Sequence, residues 1–86
     1  MSRIDIGVGE ARKVVDVLRR LEVRPDLSSD VRSNTTYWAS AVRGQMDRRD
    51  LETLAWLLHE IGGNSRLPDV ERRTVHFWAD YLEAQL

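Results

Sequence analysis

Residues 48–63 read RRDLETLAWLLHEIGG. Leu51, Leu54, Ala55, Leu58 and Ile61 recur at the i, i+3, i+4, i+7 spacing that lines apolar side chains along one face of an α-helix. Asp47 is a good N-cap, Asp50 suits the first turn, and Gly62-Gly63 supply a stop. The stretch predicts a helix over 48–61. Upstream, Ala11, Val14, Val15, Leu18 and Leu21 predict a helix over 9–22. Arg24-Pro25-Asp26 ends it, because the residue before proline avoids the helical region. Val31, Thr35, Trp38 and Val42 predict a helix over 29–45, N-capped by Ser28 or Ser29. Ser33-Asn34-Thr35-Thr36 are four weak helix formers in a row, so this helix is expected to be kinked or split near 33–36. Downstream, Pro68, Asp69 and Glu71 suit the first turn of a helix over 68–85. Its main face reads as Val70, Thr74, Phe77, Trp78 and Tyr81.

Ile4-Asp5-Ile6-Gly7 is a short, extended lead-in. No segment reads as a strand pair, and no internal repeat or low-complexity segment stands out. Short connections favour antiparallel neighbours. The expected fold is all-α: a compact antiparallel bundle of four helices, with a single domain over 1–86, as the length of 86 residues requires.

Apolar residues make up 42% and charged residues 31% of the chain, a globular composition rather than a disordered or membrane one. The net charge of −1 gives no overall field to draw in nucleic acid or anionic lipid. There is no cysteine, which excludes disulfides and cysteine-ligated metals. The longest apolar run, Leu54 to Leu58, is too short to span a membrane. The first nine residues lack the apolar core of a signal peptide, so a cytoplasmic location is the default expectation.

Trp56 is the first unusual residue. At about 100° per residue it lies roughly 140° from Leu51, among the polar neighbours Glu52, His59 and Glu60. Arg49 falls on the same side, and Tyr37 lies off the apolar stripe of the second helix. Tryptophan and arginine are enriched at binding hot spots. Trp56, Arg49, Glu52, His59 and Tyr37 are therefore the candidate partner-binding residues. The competing reading covers both sides of the third helix within the fold. On the last helix, Val75, Leu82 and Leu86 form a second strip beside the main face, a candidate interface for a homodimer.

Other chemistry is sparse. His76, Asp80 and Glu83 share one side of the last helix, but three groups from one helix do not complete a metal shell, and no metal or cofactor is expected. No phosphate loop, His-Glu-x-x-His or Gly-x-Ser-x-Gly is present, so no catalytic residue is assigned and the chain is not expected to be an enzyme. Arg19-Arg20, Arg48-Arg49 and Arg72-Arg73 lie on three different helices, and the acidic Asp69-Val70-Glu71 opens what would be a recognition helix.

His59-Glu60-Ile61-Gly62-Gly63-Asn64-Ser65 resembles the motif of histidine phosphotransfer domains, which are also helical bundles. In that motif an exposed helical His is followed by an apolar residue two on, then a Lys-Gly pair and small polar residues. Ile61, Gly63 and Ser65 fit, whereas Gly62 stands where the basic residue belongs. The resemblance covers seven residues and implies a phosphoryl-accepting His59.

By elimination, and from the outward aromatics, the sequence points to a small cytoplasmic protein that binds a larger protein. A regulator or inhibitor of the antitoxin, immunity or phage-inhibitor type fits. A nucleic-acid-binding transcriptional regulator is the runner-up and a phosphotransfer protein the third reading.

Overall fold

The apolar spacing of the two stretches at 9–22 and 48–61 sets the frame. In a computed structural model, which describes residues 3–64 and 66–86, they form helices α1 (Val8–Glu22) and α3 (Arg48–Gly62). Each is followed by a helix that packs back on it, α2 (Ser29–Ala41) and α4 (Asp69–Ala84). Two short strands, β1 (Arg3–Asp5) and β2 (Gln45–Asp47), pair antiparallel. The four helices pack as an all-α bundle, elongated to 36 × 21 × 20 Å.

Two expectations for the second helix are corrected. It ends at Ala41 rather than 45, because Val42 turns extended and the chain enters β2, where Met46 is buried between exposed Gln45 and Asp47. It is also continuous through residues 33–36. Hydroxyls bonded back to the helix carbonyls let weak formers sit in a helix. The Thr35 hydroxyl donates to the Arg32 carbonyl at 2.7 Å and the Ser40 hydroxyl lies 3.5 Å from the Thr36 carbonyl. Buried Thr35 and Trp38 hold the same segment against α1 and the core.

The strand pair is a third correction. Ile4 pairs with Met46 and Asp5 with Gln45, and the Ile6 amide extends the ladder to the Gly44 carbonyl at 2.8 Å. Gly7 then takes a φ of 88°, a left-handed conformation that glycine adopts without strain, and turns the chain into α1.

The element order is β-α-α twice over, so the chain does contain an internal repeat, contrary to the sequence reading. Its offset is 40 residues: Leu18 matches Leu58, Leu27 matches Leu67, Trp38 matches Trp78 and Ala39 matches Ala79. Each member of these pairs is buried, as are Ile6 and Met46, Val14 and Leu54, Leu21 and Ile61, and Val42 and Leu82. Asp5 and Gln45 are also equivalent residues, and they face each other across the strand pair. An antiparallel pair between equivalent strands is two-fold symmetric about that point, so a pseudo-two-fold axis passes through it. The turns between helices repeat the same bonds: Arg24 N–H to Leu21 and Leu27 N–H to Arg24 in one half, Asn64 N–H to Ile61 and Leu67 N–H to Asn64 in the other.

The repeat also turns α4 relative to expectation. Its core face is Val75, Trp78, Ala79 and Leu82, an i, i+3, i+4, i+7 set in which small Ala79 permits close approach. Val75 and Leu82 are fully buried and Leu86 is half-buried against the same core. They are internal packing, and the strip expected to serve a homodimer is not on the surface. Phe77 and Val70, expected on the main apolar face of this helix, are both exposed. Tyr81 is half-buried and its hydroxyl donates to the Ile6 carbonyl at 3.0 Å, tying α4 to the end of β1.

The halves differ where α1 and α3 end. In the first, the Thr36 hydroxyl donates to the Glu22 carboxylate at 2.8 Å. In the second, the equivalent residues are His76 and Gly62, and the imidazole Nε2 lies 3.0 Å from the Gly62 carbonyl. A Cβ on Gly62 would stand 2.8 Å from the ring, so the large residue of one pair faces the small one of the other.

Trp78→Ala should cost on the order of 3–5 kcal/mol in a urea melt, whereas Phe77→Ala should cost about 0.5–1.5 kcal/mol, the worth of its edge-on contact with Trp78. Gly62→Ala should leave stability nearly unchanged, its gain in helix propensity of up to about 1 kcal/mol offset by displacement of His76. In a His76→Thr background the same change should stabilise, and the difference is the coupling energy of the pair.

The carboxylates add a pH dependence. The Thr36 hydroxyl, with Arg19 beside it, holds the Glu22 carboxyl below the usual carboxylate range. The fork of Arg24, at 2.8 and 3.0 Å, does the same for Asp26. Their contribution is present above the ordinary Asp and Glu values near about 4 and is lost as pH falls through the depressed folded-state values. Asp26→Asn should therefore flatten the decline of the urea midpoint on acidification.

Candidate functional site

Burial of Leu51, Leu54, Leu58 and Ile61, widened by Ala55 and Leu57, fixes the rotation of α3. The exposed residues of α3 are Arg48, Arg49, Asp50, Glu52, Thr53, Trp56 and Glu60. Trp56 stands among them with 63% of its surface exposed. Glu52 and Glu60 lie one turn to either side, and Glu52 is shared with Arg48 at 3.4 Å.

The other candidates separate. His59 is half-buried and faces α4, with Nε2 against the Glu83 carboxylate and 3.8 Å from Asp80. It belongs to the α3–α4 seam rather than to the face of Trp56. Tyr37 is 63% exposed on α2 and edge-on to buried Trp38, with ring centres 5.1 Å apart. Among the described residues no aromatic pair joins Tyr37 to Trp56. The equivalent of Tyr37 is Phe77, 61% exposed and edge-on to Trp78 at the same 5.1 Å. Sequence reasoning missed it by placing Phe77 on the main apolar face of its helix. The signal was available in Tyr37-Trp38-Ala39 and Phe77-Trp78-Ala79, read as a repeat.

Grooves flank the helices. One of about 200 Å³ runs between α1 and α4, lined by Lys13, Asp16, Val17, Arg20, Thr74 and Trp78. In the other half the equivalent of Asp16 is Trp56. A second groove, of about 360 Å³, lies where α1 passes residues 42–44, with Val8, Ala11, Val15 and Val42 against Arg12, Asp16 and Arg43.

The remaining constellations are dispersed or neutralised. His76 turns to the Gly62 carbonyl while Glu83 pairs with His59, so His76, Asp80 and Glu83 do not converge. Four of the six arginines in the Arg pairs are held in ion pairs: Arg19 with Glu22, Arg20 with Glu71, Arg48 with Glu52 and Arg72 with Asp69. For a phosphotransfer role, α3 stops at Gly62, and Asp80 and Glu83 set two carboxylates where an anionic phosphoryl group would approach His59. Ser65 of that motif lies outside the described residues.

Among the described residues no helix is long and apolar enough to cross a membrane. Comparison with protein-family models, curated proteins and solved structures gives no match.

Proposed function

We propose that this protein is a small protein-binding regulator that grips a larger partner through the outer face of α3, with Trp56 at the centre. The observation that carries the reading is the exposure of Trp56 on a helix whose core face is already complete. A tryptophan held in water contributes little to folding, yet desolvating it against a partner removes a large apolar surface from water. Arg49 on the same face adds the second residue type enriched at hot spots. An inhibitor, antitoxin or immunity protein works by this kind of stoichiometric contact and needs no catalytic group. The nucleic-acid reading draws less support, because most of the paired arginines are committed to carboxylates.

Trp56→Ala separates the two roles the residue can have. Its melt should shift by no more than about 0.5 kcal/mol, as for other exposed positions. Proteins retained from the native host by the immobilised parent chain should be lost from the variant, since truncating an interface tryptophan costs about 2 kcal/mol or more. Unfolding of the variant would place Trp56 in the core. Equal retention by both chains would move the contact elsewhere.

A further inference from the structure

The molecule that exposes Trp56 also carries a small groove with cations on its rim. The α1–α4 groove has a floor of buried Val17 and Trp78 and a rim carrying Lys13 and Arg20, with Asp16 between them. Lys13 and Arg20 are seven residues apart on α1 and so share a face. Its volume of about 200 Å³ is below the roughly 300–1,000 Å³ of small-molecule pockets and suits a single side chain. On the opposite flank, related by the pseudo-two-fold, Trp56 stands in the place of Asp16, between Glu52 and Glu60. Arg20 of the groove rim corresponds to Glu60, whereas Lys13 corresponds to the neutral Thr53, and the second carboxylate beside Trp56 is Glu52. The exposed charges of α1 are Arg12, Lys13, Arg19 and Arg20 against Asp16 alone.

Trp56 lies on α3, in the second half of the chain, and the groove lies between α1 and α4. We infer that copies of this chain associate head to tail, Trp56 of one copy entering the α1–α4 groove of the next. This rests on the reading of Trp56 as a binding residue. Glu52 and Glu60 then meet Lys13 and Arg20, and the indole N–H of Trp56, a donor only, is offered the Asp16 carboxylate. Glu71, already 3.8 Å from Arg20, shares that guanidinium. Lys13 is the less committed cation. Such a contact is heterologous: it leaves a free Trp56 at one end and a free groove at the other, so assembly does not stop at two. One side chain and a few rim charges fall short of the roughly 1,200–2,000 Å² of a stable interface. The association is therefore weak, rises with concentration and is screened by salt.

Sedimentation velocity over a concentration series tests it, with circular dichroism confirming that each variant folds. The parent's average mass should climb above its 10.0 kDa and fall back in high salt. Trp56→Ala should lower the association constant at least about tenfold. The double variant Lys13→Glu with Arg20→Glu should remain monomeric, and so should Glu52→Lys with Glu60→Lys. Mixing these two should restore assembly, because each offers the other an oppositely charged rim. Should Trp56→Ala fail to fold, the charge variants carry the test alone. A parent that stays monomeric throughout overturns the self-association, as does a mixture that stays monomeric while the parent assembles. Neither result touches the capture experiment, which tests the larger-partner reading separately.

Discussion

The antiparallel pairing of Ile4 with Met46 decides how the two helical hairpins meet. Two three-residue strands are marginal in isolation, and here they are held by their surroundings. Met46 and Ile6 are buried in the common core, and the Tyr81 hydroxyl caps the Ile6 carbonyl. With Asp5 opposite Gln45, the helices that leave the strands are related by a half-turn. Their apolar faces then share one core instead of forming two. Moving the register by one residue would turn Met46 outward and Gln45 inward.

Once that relation is set, the halves are free to differ on the outside. Inside, substitutions follow volume: Glu22 opposite Thr36 becomes Gly62 opposite His76, and the helix end is tied down either way. Outside, α1 carries mostly cations while α3 alternates both signs around a tryptophan. The buried halves match closely in side-chain class, and the surfaces match at few positions. Tyr37 and Phe77 are the notable exposed match, and each lies edge-on against a buried tryptophan.

This division explains which features could be read from the sequence. Helices α1 and α3 declare themselves because five or more apolar residues repeat at helical spacing on one side, and the outward position of Trp56 follows from the same geometry. On α4 the apolar residues cover two sides, so the aromatics suggest one face while Val75, Ala79 and Leu82 define another. Only packing against α3 and α1 decides between them. The strands are three residues long, too short for an alternating pattern to emerge, and their pairing joins segments far apart in sequence. The repeat escaped for a related reason. Its matches are mostly similar rather than identical side chains, as at Ile6 and Met46 or Val14 and Leu54, and they become visible when burial is aligned with sequence. Of the binding candidates, His59 illustrates the limit of a single-helix projection: it is one turn from Trp56, yet α4 claims it through Glu83.

The three residues Val42, Arg43 and Gly44 between α2 and β2 have a thermodynamic consequence. Each β-α-α unit is near the size at which a chain without disulfides or metals needs a partner to fold, and here each unit's partner is the other. A short tether keeps the second unit at an effective concentration on the order of millimolar. What would otherwise be a bimolecular dimerisation thus becomes an intramolecular docking step. The folded state of this chain can then persist at dilutions where two separate halves would come apart.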